Sequence, residues 1–284
     1  MKLALGTVQL GLDYGISNKQ GQVDLLAAQQ LLSFAYEQGI RFLDTAAAYG
    51  NSQQILGEFA HQKSHIITKI NPDESSLTDI TNVLDECFNQ LNRTHIYAVM
   101  LHNADRLNHP NSRSALKQLE AEKRNGRVQK IGLSLYHPDQ VKLFDVFTPD
   151  IIQIPLSIID QRFLANGLLD KLQAQGIEIH VRSAFLQGLL LLEPSKRPSY
   201  FKQFSALNRF DKFIESTSAS RLSVCLNFFK SLPAIAKIVV GCCSKDELSE
   251  IIAAYQAPMA LNGPNFACDD QALIVPSNWP KLSN

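Results

Sequence analysis

Ile40-Arg41-Phe42-Leu43-Asp44-Thr45-Ala46-Ala47-Ala48-Tyr49-Gly50-Asn51-Ser52 is the stretch that decides how the chain is read. Its first residues form a short apolar run, as expected of a buried strand. A carboxylate, Asp44, stands at the end of that run. Three small alanines, a tyrosine and a Gly-Asn-Ser turn follow and lead into a helix. A strand that ends on a polar tip and turns into a helix is half of a parallel βαβ unit. Asp44 and Tyr49, joined by small side chains, can project into one cleft.

The same rhythm extends in both directions. Leu3–Val8 is a strand candidate, followed by a loop from Gly11 to Gly21. A helix begins at Val23-Asp24 and stops at Gln38-Gly39, where glycine suits a C-cap. Beyond Ser52–Ala60, read as a helix, the strands His65–Ile70, Ile96–Leu101, Val128–Leu133, Ile151–Ile154, Ile177–Arg182 and Ile235–Val240 alternate with helices. Those helices are read over Thr78–Leu91, Ser112–Asn125, Asp139–Val146, Phe163–Gln175, Thr217–Ser231 and Ser244–Tyr255. Eight apolar strands alternating with helices close a (β/α)8 barrel. A doubly wound open sheet should show a GxGxxG turn after one strand, and the sequence has none. The expected fold is therefore a single α/β barrel domain over residues 1–284 that starts directly on its first strand, without an N-terminal hairpin. The tail from 258 to 284, rich in Pro and Gly, is expected to pack over the barrel or to be partly disordered.

Bulk properties fit that picture. The 284 residues suit one barrel, and 45% hydrophobic content suffices for a large core. The balance of 27 basic and 27 acidic side chains gives no global field for nucleic acid or an anionic membrane. No apolar run reaches the ~18 residues of a membrane helix, and no signal peptide forms at the N-terminus. Five cysteines without metal-ligand spacing read as free thiols in a reducing compartment. A cytoplasmic protein, a monomer or weak homo-oligomer, is expected.

In a parallel barrel every strand points its C-terminal end at one face. Asp44 ends the second strand, Lys69 lies near the end of the third, and His102 follows the fourth, with Tyr49 on the loop after Asp44. Each has a bland structural explanation, as a helix cap, a loop charge, a core imidazole or a packing ring. Four ionisable groups at matching strand tips are harder to dismiss together. They suit delivery of a proton to a carbonyl oxygen. A free phenol, with a pKa of about 10, is a poor acid–base group near neutrality, and a lysine ammonium beside it stabilises the phenolate. Asp44 would hold Lys69, and neutral His102 would orient the carbonyl. Side chains supply no hydride, so a bound cofactor must. No metal-ligand cluster is evident.

Gly6-Thr7, Leu43-Asp44-Thr45-Ala46 through Tyr49-Gly50-Asn51-Ser52, Thr68-Lys69, Leu101-His102, Gly132-Leu133-Ser134 and Gln153 resemble the signatures of the aldo-keto reductases. The resemblance covers about residues 1–256. It implies a (β/α)8 barrel that interconverts small carbonyl compounds and alcohols with NAD(P)H. By the family's pattern Tyr49 would be the general acid, Asp44 and Lys69 would tune it, and His102 would orient the substrate. Cofactor contacts carry over to Gly6, Thr7, Ser134, Gln153, Arg182, Ser183, Phe185, Gln187, Gly188, Gly241, Ser244, Lys245 and Glu247. Among them, Ser134 and Gln153 match the positions that hold the nicotinamide carboxamide. Arg182 takes the place where the family often stacks an aromatic ring. Phe185 to Gly188 match the loop along the pyrophosphate.

The family places the adenosine 2′-phosphate by Ser244 to Glu247, although Ser244 and Glu247 also fit a capping box. NADP(H) is the family default. A carboxylate at Glu247 is unfavourable beside a phosphate and leaves NAD(H) open. The short loop after His102 and the short tail imply an open pocket suited to a polar, sugar-like carbonyl compound. Two rival functions are a catalytically silent nucleotide-binding barrel, used as a redox-sensing or docking subunit, and a lyase forming a Schiff base on Lys69. The complete tetrad argues against the first, and a lysine held charged by Asp44 against the second.

Overall fold

The computed structural model describes residues 1–73, 76–257 and 265–281. Eight parallel strands close a barrel in sequence order: β1 (Leu3–Gly6), β2 (Phe42–Asp44), β3 (His65–Ile70), β4 (Ile96–Leu101), β5 (Val128–Ser134), β6 (Ile151–Pro155), β7 (Glu178–Arg182) and β8 (Ile235–Gly241). The ring closes through β1 and β8, with Gly6 opposite Gly241. Strand residues are almost continuously apolar because both faces of each strand are covered. One face meets the helices, through residues such as Leu43, Ile70, Leu101, Leu133 and Ile152.

Local signals place most helices. Asp24 accepts the Ala27 N–H and caps Leu25–Glu37, and Asp79 does the same for Ile80–Leu91 through Asn82. Gly39, Gly126 and Gly176, which close helices in the sequence, all adopt positive φ where the chain turns back to a strand. Two expected helices differ. Asp139–Val146 is a 3-10 helix, Pro138–Asp145, capped by His137. Phe163–Gln175 is broken at Ala165-Asn166, where Asn166 and Gly167 turn left-handed, and the helix restarts as Leu168–Ala174. Asn-Gly is a turn pair, and its local preference overrides the helical spacing around it. The long interval before β8 holds a helix not read from the sequence, Ser205–Glu215, besides Arg221–Asn227.

Alternate strand residues climb the inside of the barrel. On β7 these are Glu178, His180 and Arg182, and on β3 His65, Ile67 and Lys69. The floor is filled by side chains. Glu178 accepts hydrogen bonds from Tyr97 (2.7 Å), His180 (2.6 Å) and Lys130, while Phe42 packs against His65, Tyr97 and His180. Burial raises the Glu178 pKa, but these three donors outweigh it and hold the carboxyl at about 2. Above the floor sits an apolar layer of Ile67, Met100 and Ile151. Only the upper layer is left for chemistry.

Of the tail expected over 258–284, residues 258–264 and 282–284 lie outside the described residues. The part between them packs over the C-terminal face. The Cys268 N–H reaches the Ile159 carbonyl, Tyr200 donates to Ala272 O, and Trp279 meets Phe201 edge-on.

The opening stretch is held against β1's loop by a close backbone approach. A Cβ on Gly11 would lie 1.8 Å from the Tyr49 carbonyl oxygen and 2.8 Å from the Ser52 nitrogen. Gly11→Ala is expected to cost about 1–3 kcal/mol by overpacking, measured by chemical denaturation. A variant as stable as the parent would contradict this packing.

Candidate active site

Asp44 and Lys69 are buried side by side at the tips of β2 and β3, 3% and 1% exposed. Lys69 Nζ lies 2.5 Å from Asp44 Oδ1 and donates also to the Thr45 carbonyl at 3.1 Å. The second carboxylate oxygen accepts from Gln153 Nε2 at 2.7 Å, so β6 reaches across the barrel to β2. Burial pushes the Lys69 pKa down, but the Asp44 charge, the adjacent Tyr49 and the hydrogen bond to Asp44 outweigh it. The net shift is upward and the lysine is a cation.

Tyr49 lies over this pair. Lys69 Nζ is 5.2 Å from the centre of its ring, and the His102 ring meets it edge-on at 5.9 Å. Among the described residues the Tyr49 hydroxyl has no hydrogen-bond partner. Its loop is fixed from behind. Thr7 donates its hydroxyl to the Asp44 carbonyl at 3.0 Å, and the Ser52 hydroxyl sits 2.8 Å from Thr7 Oγ1 and 3.1 Å from Thr45 Oγ1. Gly50 turns the chain with φ 52°. His102 is half-buried beside two cations. Burial, then the Lys69 and Arg182 charges, lower its pKa to about 4 against a weaker pull from Asp44, so the imidazole is neutral near pH 7.

Asp44, Tyr49 and His102 border a cavity of about 620 Å³ on the C-terminal face, with Lys69 buried behind them. Its walls bring together Gly6, Thr7, Gln153, Arg182, Ser183, Phe185, Gln187, Gly188, Gly241 and Glu247 of the cofactor contacts read from the sequence. Loops from β1 and β7 meet above it. The Ile16 N–H donates to the Gln187 carbonyl at 3.0 Å, and Ser17 fills the space a Cβ on Gly188 would take. Ser183, Leu186 and Gln187 hold left-handed φ in that β7 loop, a costly backbone of the kind found at ligand clamps.

Three of the cofactor contacts read from the sequence, Ser134, Ser244 and Lys245, are not among the residues that border the cavity. Ser244 spends its hydroxyl accepting the Glu247 N–H (3.2 Å), and Lys245 is exposed at the first turn of its helix. Glu247 reaches back to the Cys243 N–H at 2.7 Å, so both partners of the expected capping box work as caps. Ser134 is fully buried at the end of β5, paired in register with Gln153. Cavity residues the sequence reading missed are Gln9, Tyr14, Tyr136, Arg162, Glu250 and Ile274 to Ser277. Tyr14 lay in a segment read only as a loop. Tyr136 directly follows the Ser134-Leu135 pair and was the one with a usable signal.

The residues present fit a nicotinamide dinucleotide. Buried Ser134 Oγ has no hydrogen-bond partner, and Gln153 Oε1 accepts no bond among the described residues. These two orphaned groups sit at neighbouring strand tips, where a carboxamide can satisfy both. No group of His, Cys, Asp and Glu able to hold a metal occurs among the described residues. Two buried thiols are chemically quiet, with burial pushing Cys225 up to about 12 and Cys243 to about 11.

The sequence model of the aldo/keto reductase family matches residues 2–261. The chain belongs to the aldo/keto reductase family. Among solved structures it resembles aldo-keto reductase AKR11C1 from Bacillus halodurans. The holo form superposes with a TM-score of 0.75 at 21% identity, over 91% of this chain and 88% of that one. The apo form gives 0.71 at 21%, over 92% and 88%. At that identity the likeness shows the fold. No curated protein sequence matches the chain closely enough to count as a relative. Family membership carries NAD(P)H-dependent oxidoreductase chemistry on small carbonyl compounds. No helix among the described residues is long and apolar enough to cross a membrane.

The unfolded imidazole keeps its ordinary value of 6.5 while the folded one sits at about 4. Between those values the unfolded chain binds the extra proton. The stability tied to neutral His102 is therefore complete above pH 6.5 and lost as pH falls toward 4. NMR titration of the His102 ring is expected to give a midpoint near 4. A midpoint near 6.5 would contradict the burial and charge surroundings described here.

Proposed function

We propose that this barrel reduces an aldehyde or ketone to an alcohol with Tyr49 as the general acid. The observation that carries this reading is the Tyr49 hydroxyl, free of partners among the described residues and flanked by a buried lysine cation and a neutral imidazole. The cofactor when bound supplies a hydride. His102 donates a hydrogen bond to the substrate carbonyl and orients it. Tyr49 gives its proton to the carbonyl oxygen as the carbon gains the hydride pair, and the positive Lys69 stabilises the phenolate left behind. Asp44 keeps Lys69 charged and aimed, and Gln153 keeps Asp44 aimed. Gly6, Thr7, Ser183, Phe185, Gln187, Gly188 and Gly241 would cradle the cofactor, with Ser134 and Gln153 Oε1 on its carboxamide. Arg182 lies beside that end.

The adenosine end favours NAD(H). Glu247 and Glu250 border the cavity there, the one nearby lysine, Lys245, does not, and the Glu247 carboxylate is locked to the Cys243 N–H. A 2′-phosphate would meet two carboxylates on the cavity wall and no cation among the residues that border the cavity at that end. The polar lining, with Gln9, Tyr14, Tyr136 and two arginines, suits a polar carbonyl substrate.

Purified protein given NADH or NADPH and a panel of aldehydes, followed by absorbance of the reduced nicotinamide, tests the reading. Turnover is expected with NADH preferred by about tenfold or more. Tyr49→Phe should abolish turnover and leave cofactor affinity intact. Cofactor binding with no reduction of any carbonyl compound would favour the silent binding barrel instead. Borohydride trapping of an adduct on Lys69 would favour the lyase.

A further inference from the structure

Of the two arginines that border the cavity, Arg182 has no ion-pair partner among the described residues. Lys69 is paired with Asp44, and Arg162 is held by Asp160 through Nε at 2.8 Å and Nη2 at 2.9 Å. Arg182 forms no ion pair among the described residues. Its contacts are the Leu135 carbonyl and the Ser183 hydroxyl, both at a long 3.3 Å. The guanidinium lies 4.4 Å over the Tyr136 ring, which keeps it flat and aimed while neutralising nothing. The backbone that carries that ring is tied down, with the Tyr136 N–H donating to Gln140 Oε1 at 2.7 Å.

The position matters as much as the charge. Arg182 tops β7, on the same rim as Asp44, Lys69 and His102, and its field reaches both Lys69 and His102. At the reacting end of the cavity Asp44 and Lys69 cancel and His102 is neutral, so the sum is one positive charge. Glu247 and Glu250 stand at the other end. Arg182 is only partly buried, so its unpaired charge stays open to the cavity, where an anion can make charge-assisted hydrogen bonds with it. Its forked donors match a carboxylate.

We propose that Arg182 selects carbonyl substrates that carry a carboxylate, which it binds while Tyr49 and His102 hold the carbonyl oxygen. This rests on the reductase reading above and names its substrate class. The reaction balances as before. The carbonyl carbon gains the hydride pair, the oxygen gains the Tyr49 proton, the nicotinamide is oxidised, and the carboxylate passes through unchanged. The anion is the substrate's own, not the cofactor's pyrophosphate.

The test compares 2-oxobutanoate and 4-oxobutanoate with their methyl esters, in the parent protein and in Arg182→Gln and Arg182→Lys, with NADH affinity measured alongside. In the parent, kcat/KM for at least one acid should exceed that of its ester by ~10–100-fold, the range of a charge-assisted hydrogen bond. Arg182→Gln should bring the acid-to-ester ratio of kcat/KM down toward one, whatever it does to the absolute rates, and Arg182→Lys should restore part of the ratio. The excess should also shrink as salt rises. Esters reduced as well as acids by the parent would overturn the proposal, even if no variant folds. Loss of NADH affinity with equal loss on acids and esters in Arg182→Gln would also overturn it, by giving the guanidinium to the cofactor. Turnover of esters alone sinks this inference and leaves the reductase, whereas no turnover of any carbonyl compound sinks both.

Discussion

Everything at the top of this barrel depends on one buried ion pair, Asp44 with Lys69. Taking two charges out of water costs several kcal/mol per ion, and only close geometry with further hydrogen bonds offsets it. The site meets that condition with contacts from three directions. Lys69 reaches Asp44 Oδ1 and the Thr45 carbonyl, and Gln153 donates to Asp44 Oδ2. The pair thereby ties β2, β3 and β6 together across the barrel mouth. Tyr49 is placed by the same chain segment, since its loop leaves β2 at Asp44 and is pinned by Thr7, Ser52 and the bare backbone of Gly11.

The rest of the interior serves that pair by leaving it isolated. The floor is closed by aromatic rings and by Glu178 with its three donors, and an apolar layer separates the floor from the rim. Charge at the rim is thus set by rim residues. Three cations and a neutral imidazole surround Tyr49 and the cavity, and two of those cations have carboxylate partners. The imbalance left by Arg182 is what gives the cavity a sign.

Much of this was legible in the sequence because strand tips are local features. Asp44, Lys69 and His102 end consecutive apolar runs, and barrel topology alone sends them to one face. The DTAxxYGNS run located Tyr49, and the helix-closing glycines marked the strand starts. What stayed hidden depends on side chains meeting across the fold. Nothing in the sequence says that Gln153 gives its amide nitrogen to Asp44, or that Arg162 has a carboxylate partner and Arg182 none. Ser244 and Glu247 looked equally suited to a cofactor contact and to a helix cap; in the structure both make cap bonds, and Glu247 also borders the cavity. Ser205–Glu215 was missed although Leu207, Phe210 and Ile214 keep helical spacing, because the preceding turns gave it no clear start.

The account stands on Asp44 holding Lys69 as a cation beneath Tyr49. The most direct test is the single-turnover rate of hydride transfer in Asp44→Asn, with NADH affinity and thermal unfolding measured on the same preparation. Asparagine keeps the size of Asp44 and its bond with Gln153 in reach while removing the charge. The rate is expected to fall about 100-fold or more, with cofactor affinity unchanged and the protein still folded. A folded variant that transfers hydride at the parent rate would contradict the central claim.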